Sequence, residues 1–137
     1  MPKESLTVDQ VRALAAKLPG KRPRRKGPTP EGAVKLDCLR LLTLRRIWHM
    51  RLNTGAIKVG DRFIRFCDPG TGDIICTIGG QTIWIETKAG RNGQSNAQQA
   101  FQARVEAAGA LYWLVRSERE LAGKLDAYGR ESKVVLA

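Results

Sequence analysis

Asp73, Glu86 and Lys88 are the residues whose types and spacing could do chemistry. Glu86 and Lys88 lie two apart in residues 82–88, where Ile83 and Ile85 alternate with Trp84 and Glu86. That alternation predicts a strand, so both charged side chains leave the same face. Asp73 opens the preceding apolar run, residues 73–78, and Gly79, Gly80 and Gln81 predict a tight hairpin between the two runs. A register centred on Gly79 and Gly80 sets Asp73 across from residues near Glu86, over a floor of Ile74, Ile75, Ile83 and Ile85. Two carboxylates at close range repel. A hard divalent cation offsets that repulsion, and Mg²⁺ typically takes one or two carboxylates plus waters and a substrate phosphate. Asp73 and Glu86 are the candidate ligands, with the backbone carbonyl of Thr87 as a third. A metal there would acidify a bound water, and Lys88 would hold that water and offset charge growing on the phosphorus. Alone, Glu-x-Lys is a weak signal whose bland alternative is a surface ion pair. The Gly/Pro-rich turn of residues 68–72 before Asp73 supplies the added context.

The elements that must position these groups follow from periodicity. Residues 6–18 predict a helix, with Thr7 and Gln10 at capping-box spacing and Val8, Val11, Leu14, Ala15 and Leu18 at helical period. Pro19 and Gly20 stop it. A second helix is predicted from Thr29, a cap, and Pro30, a first-turn proline, to about Arg46. Strands are expected at residues 47–52, 56–59, 62–66, 73–78 and 82–88, the early ones as a meander. A loop covers residues 89–93, with Gly90, Arg91, Asn92 and Gly93 expected to be mobile. Residues 96–108 predict a helix and residues 111–115 a strand. Ser117, with Glu120 at capping-box spacing, starts a helix to about Leu125, and the tail beyond Ala127 gives little signal. The fold class is α/β, a mixed sheet flanked by helices. Three segments are expected: an N-terminal helix and basic arm at 1–28, a folded domain at 29–126 and a tail at 127–137.

The chain has 137 residues and a formal net charge of +11, enough for one core and a polyanionic partner. Residues 1–30 carry +6 of that charge. Lys21, Arg22, Arg24, Arg25 and Lys26 read equally as a phosphate-contacting tail or a solvated linker. Arg51, Lys58, Arg62, Arg65 and Arg91 are candidates for a phosphate track or are scattered solvated charge. No apolar run nears the ~20 residues of a bilayer span, and the N-terminus lacks a secretory h-region. A cytoplasmic protein without a membrane partner is therefore expected. Cys38, Cys67 and Cys76 lack Cys-x-x-Cys spacing and read as small buried residues in a reducing compartment. His49 is the single histidine, inside an apolar run, and reads as structural; zinc sites of His and Cys are disfavoured. Trp48, Trp84 and Trp113 fall in predicted strands and read as core.

Over residues 31–121 the sequence resembles the PD-(D/E)XK nuclease superfamily, and within it the virus-type replication-repair nuclease (VRR-NUC) family. The matching pieces are Glu31; Arg51, Leu52, Asn53, Thr54 and Gly55; Gly70, Thr71, Gly72 and Asp73; Glu86, Thr87 and Lys88; and Ser95, Asn96, Ala97 and Gln98 leading to Phe101. Gly109, Ala110 and Ser117 also fit. Gly72 departs from the pattern, standing where many members have proline, which bears on loop stiffness more than chemistry. The resemblance implies a restriction-endonuclease-like core in α-β-β-β-α-β order. It implies Glu31 as a helix carboxylate that helps place the metal, often through water, and Gln98 as a helix glutamine supporting substrate or metal water. Without it, Glu31 reads equally as a carboxylate on a helix dipole and Gln98 as an exposed helix residue. Arg51, Asn53 and Arg91 become candidate nucleic-acid contacts. The resemblance further implies Mg²⁺ or Mn²⁺, 5′-phosphate and 3′-hydroxyl products, and a homodimer cutting branched DNA such as four-way (Holliday) junctions in the repair or phage biology of a bacterial cell. No base-reading motif is visible, so shape-selective cutting is expected. The alternatives are a non-catalytic DNA-binding protein that keeps the fold and a sequence-specific restriction-type endonuclease. Charge and fold accept RNA as well as DNA.

Overall fold

The computed structural model describes residues 6–17, 27, 29–52 and 55–132. Helix α1 (Val8–Ala16) carries the expected capping box between Thr7 and Gln10 but buries none of its residues. Helix α2 (Pro30–Leu44) starts where Thr29 Oγ1 accepts from the Gly32 N–H, with proline in its first turn. Five strands follow: β1 (Trp48–Arg51), β2 (Ala56–Val59), β3 (Arg62–Arg65), β4 (Ile74–Ile78) and β5 (Gln81–Thr87). Helix α3 (Asn96–Ala107), strand β6 (Leu111–Val115) and helix α4 (Glu118–Ser132) complete the order.

The main sheet runs β1-β4-β5-β6, and β2 pairs only with β3 in a separate two-stranded sheet. The expected element order and early meander are therefore wrong. β1 skips its sequence neighbour and lies antiparallel to β4, while β2 and β3 form an inserted hairpin. Period-2 alternation reports which face a side chain takes, not which strand lies alongside. The β4–β5 hairpin is as expected. Ile78 opposes Gln81 across Gly79 and Gly80, both at positive φ, as a two-residue primed turn requires. β6 lies parallel to β5, with α3 as the crossover.

Alternation sends two sets of side chains to opposite faces. Ile74, Cys76, Ile78, Ile83, Ile85 and Val115 pack with Cys38 and Leu42 of α2 and with Leu121 and Leu125 of α4. Each such aliphatic residue contributes about 1.5–3 kcal/mol by leaving water. Over the other face, Phe101 of α3 meets Trp84 edge-on at 4.9 Å between ring centroids and Tyr112 at 6.4 Å. The domain is α/β, a mixed sheet between helices. The C-terminal helix passes the expected stop near Leu125 and continues to Ser132. Trp113 packs on Tyr128 of that extension. Trp48 overturns its core assignment: it sits on edge strand β1 and is 60% exposed.

Candidate metal centre

The register Ile74↔Ile85 brings the residue before β4 opposite Glu86. Asp73 therefore meets the end of β5, and the structure fixes it there. Its Oδ2 accepts from the Thr87 N–H at 3.0 Å and from the Thr87 hydroxyl at 2.8 Å. Its Oδ1 lies 3.0 Å from Lys35 Nζ on α2. Glu86 is 2% exposed, and its Oε1 accepts from Gln98 Nε2 at 2.7 Å. Lys88 Nζ stands 3.7 Å from the same oxygen, also buried. Glu31, in the first turn of α2, completes a carboxylate trio. One oxygen from each of Glu31, Asp73 and Glu86 lies within 4.8 Å of the others.

Local structure explains this convergence. Gln98 is the N3 residue of α3: its Oε1 accepts from the Ser95 N–H at 2.9 Å while its Nε2 reaches Glu86. One amide thus both caps a helix and orients a carboxylate. Gly70, at φ +81°, lets the loop before Asp73 press on α3; a Cβ there would stand 2.2 Å from the Ala97 carbonyl oxygen. Glu31 lies at the positive end of the α2 dipole, which favours a carboxylate there.

The electrostatics are uphill without a cation. Burial first, then the charge of Asp73, push the Glu86 carboxyl up to about 8 despite Lys88. The other Glu86 oxygen, Oε2, is buried without a hydrogen-bond partner among the described residues. A buried, unsatisfied carboxylate oxygen costs free energy that a metal bond would offset. Three hard oxygen donors suit a hard divalent cation. At bonds of about 2.1 Å, two opposite ligands stand roughly 4.2 Å apart. A spread within 4.8 Å is close to what the ligands of one bound cation span. The residues present fit a divalent metal.

The centre opens into a cleft whose lining includes Glu31, Lys35, Asp73, Glu86 and Gln98 together with Phe63, Arg65 and Cys67. Cys67 is thus half-buried at the cleft, whereas Cys38 and Cys76 are fully buried as expected. Arg51 pairs with Ile74, next to Asp73, and lines an adjoining cleft that shares Glu31 and Lys35. Arg91 is exposed on the loop after β5 and lines neither cleft. Arg116 Nη1 donates to the Gly90 and Asn92 carbonyls of that loop at 2.9 and 2.8 Å. His49 Nδ1 is 2.8 Å from the Ile47 carbonyl oxygen and takes no part in the cleft. Asn53 and the basic residues Lys21, Arg22, Arg24, Arg25 and Lys26 lie outside the described residues.

Sequence reasoning missed Lys35. Its signal was present, since Lys35 follows Glu31 by one helical turn and so shares its face. Thr87 was noted for its carbonyl, while its N–H and hydroxyl are what hold Asp73. No protein-family model matches the chain, and no curated protein is similar to it.

Proposed function

We propose that the chain is a divalent-metal-dependent nuclease with a restriction-endonuclease-like core, of the VRR-NUC kind its motifs resemble. The observation that carries this reading is the buried Glu86 Oε2, without a partner among the described residues, within a trio of carboxylates and with Lys88 alongside. Asp73 and Glu86 would hold the metal, and Glu31 would help place it. Thr87 offers its carbonyl, which leaves the strand on the same side as the N–H bound to Asp73. When bound, Mg²⁺ or Mn²⁺ supplies an acidified water and neutralises charge on the phosphate. The chain's own residues do the positioning. Thr87 locks Asp73, Gln98 locks Glu86, and Lys88 is poised to orient the attacking water. Lys35 neutralises Asp73 before metal binds and lies in the cleft where a phosphate would arrive.

The substrate in this reading is DNA, with branched forms such as four-way junctions the leading class. A homodimer would offer two such centres to a two-fold substrate. The net charge of +11 supports a polyanion. Among the described residues no helix is long and apolar enough to cross a membrane. One observation favours the rival, a metal-independent DNA-binding protein: Lys35 already supplies a cation to Asp73. Purified protein on linear, flap, fork and four-way DNAs, with Mg²⁺, Mn²⁺ or chelator, separates the two. Cutting should require metal and fall at least about 100-fold in Asp73→Ala and Lys88→Ala, the scale of a lost electrostatic contact in catalysis. Full cutting by Asp73→Ala would remove the mechanism.

A further inference from the structure

The β2–β3 hairpin is unexplained by the metal centre. Among the described residues it packs against no other element. An isolated two-stranded hairpin is marginal in water, yet this one exposes Phe63 by 72%, Ile64 by 45% and Phe66 by 49%. The register Lys58↔Phe63 and Ala56↔Arg65 gathers Ala56, Lys58, Phe63 and Arg65 on one face. Ala56, Phe63 and Arg65 of that face line the same cleft as the carboxylates. Lys58 Nζ lies 5.8 Å from the Phe63 ring centroid. The cleft thus holds acids together with an aromatic ring and Arg65, and Lys58 stands beside that ring on the same hairpin face.

That face has the chemistry of a single-strand nucleic-acid contact, in which an aromatic ring stacks on a base while cations follow the backbone. A protein partner would favour a continuous apolar patch, whereas Lys58 and Arg65 interrupt this one. Within a duplex the base faces are covered by their neighbours, and a ring reaches them only by first unstacking a base step at a cost in free energy. We propose that Phe63 stacks on an unpaired base next to the phosphate held at the metal centre, with Lys58 and Arg65 on the flanking phosphates. The substrate class is then DNA with an unstacked nucleotide beside the cut, a branch point or single-stranded segment rather than continuous duplex. This rests on the nuclease reading for the identity of the held phosphate.

The test is fluorescence anisotropy in chelator, which reads binding without cutting. The probes are labelled single-stranded DNA, a duplex, and that duplex with a single-stranded branch. Phe63→Ala should weaken single-strand and branched binding about 5- to 100-fold, leave duplex binding within about twofold, and be rescued by Phe63→Trp. Arg65→Gln should instead lower the salt slope on single strands by about 0.7, the signature of one lost phosphate contact. Equal single-strand binding by Phe63→Ala and the unaltered chain overturns the proposal. So does a uniform loss on all three probes accompanied by a change of oligomeric state, which would make the hairpin a contact between copies. Metal-dependent cutting with no Phe63 effect on binding removes this inference alone. Phe63-dependent binding without any cutting supports the stacking and removes the nuclease reading alone.

Discussion

Glu86 holds two opposed demands in one side chain. Its carboxyl titrates near 4.5 when solvated and near 8 in the fold. Between those values the folded state binds more protons than the unfolded one, so stability falls as pH rises across that window. A divalent cation competes with the same proton, so its stabilising effect should grow over the same range. Thermal midpoints across that window, with and without Mn²⁺, check both slopes. Glu86→Gln should flatten them, and slopes unchanged in that variant would locate the titration elsewhere. Gln98→Ala should lose the amide that caps α3 and holds Glu86. About 1 kcal/mol of stability and 10- to 100-fold in metal affinity are expected to go. Urea unfolding and Mn²⁺ calorimetry measure them, and wild-type metal affinity would show that Gln98 only caps. The sequence disclosed Asp73, Glu86 and Lys88 because strand alternation and a two-residue turn fix their geometry locally. Glu31, Lys35 and Gln98 arrive from helices, whose approach to the sheet no local pattern encodes. Glu31 and Gln98 were legible only through resemblance, and Lys35 not at all.

At the scale of elements, strand positions came through within a residue or two while their partners did not. The β1–β4 pairing spans a hairpin and a loop, and nothing in alternation records such a jump. Trp48 was misread for a related reason. A tryptophan in an apolar run looks internal, but an edge strand can leave it half covered. The loop before β4 is held by close approach. An ideal Cβ at Gly72 would stand 3.3 Å from the Trp84 ring, so the indole fills space a side chain there would need. Gly70 is tighter. Gly70→Ala should cost about 1–3 kcal/mol, the price of left-handed strain, with more from the clash against Ala97. It should also weaken Mn²⁺ binding, because Asp73 and Gln98 would part. Unfolding and calorimetry report the two effects, and a stable variant with intact affinity would show that the loop and α3 are not coupled.

For the whole molecule, two features stand outside the core: a basic chain and, among the described residues, an edge strand with exposed apolar side chains. Strand β1 ends the main sheet, with Trp48 60% and Met50 48% exposed. An apolar edge of this kind invites another strand. A net charge of +11 keeps copies apart at low ionic strength, and at 1 M salt that repulsion reaches only about 3 Å. Light scattering should therefore rise with salt, and Trp48→Lys should suppress the rise. Equal scattering by both proteins would clear β1. If β1 is responsible, the electropositive coat has a second task, colloidal protection, and a nucleic acid that neutralises it also lets sticky borders meet. Preparations loaded to charge balance would then precipitate first, and an excess of either component would redissolve them.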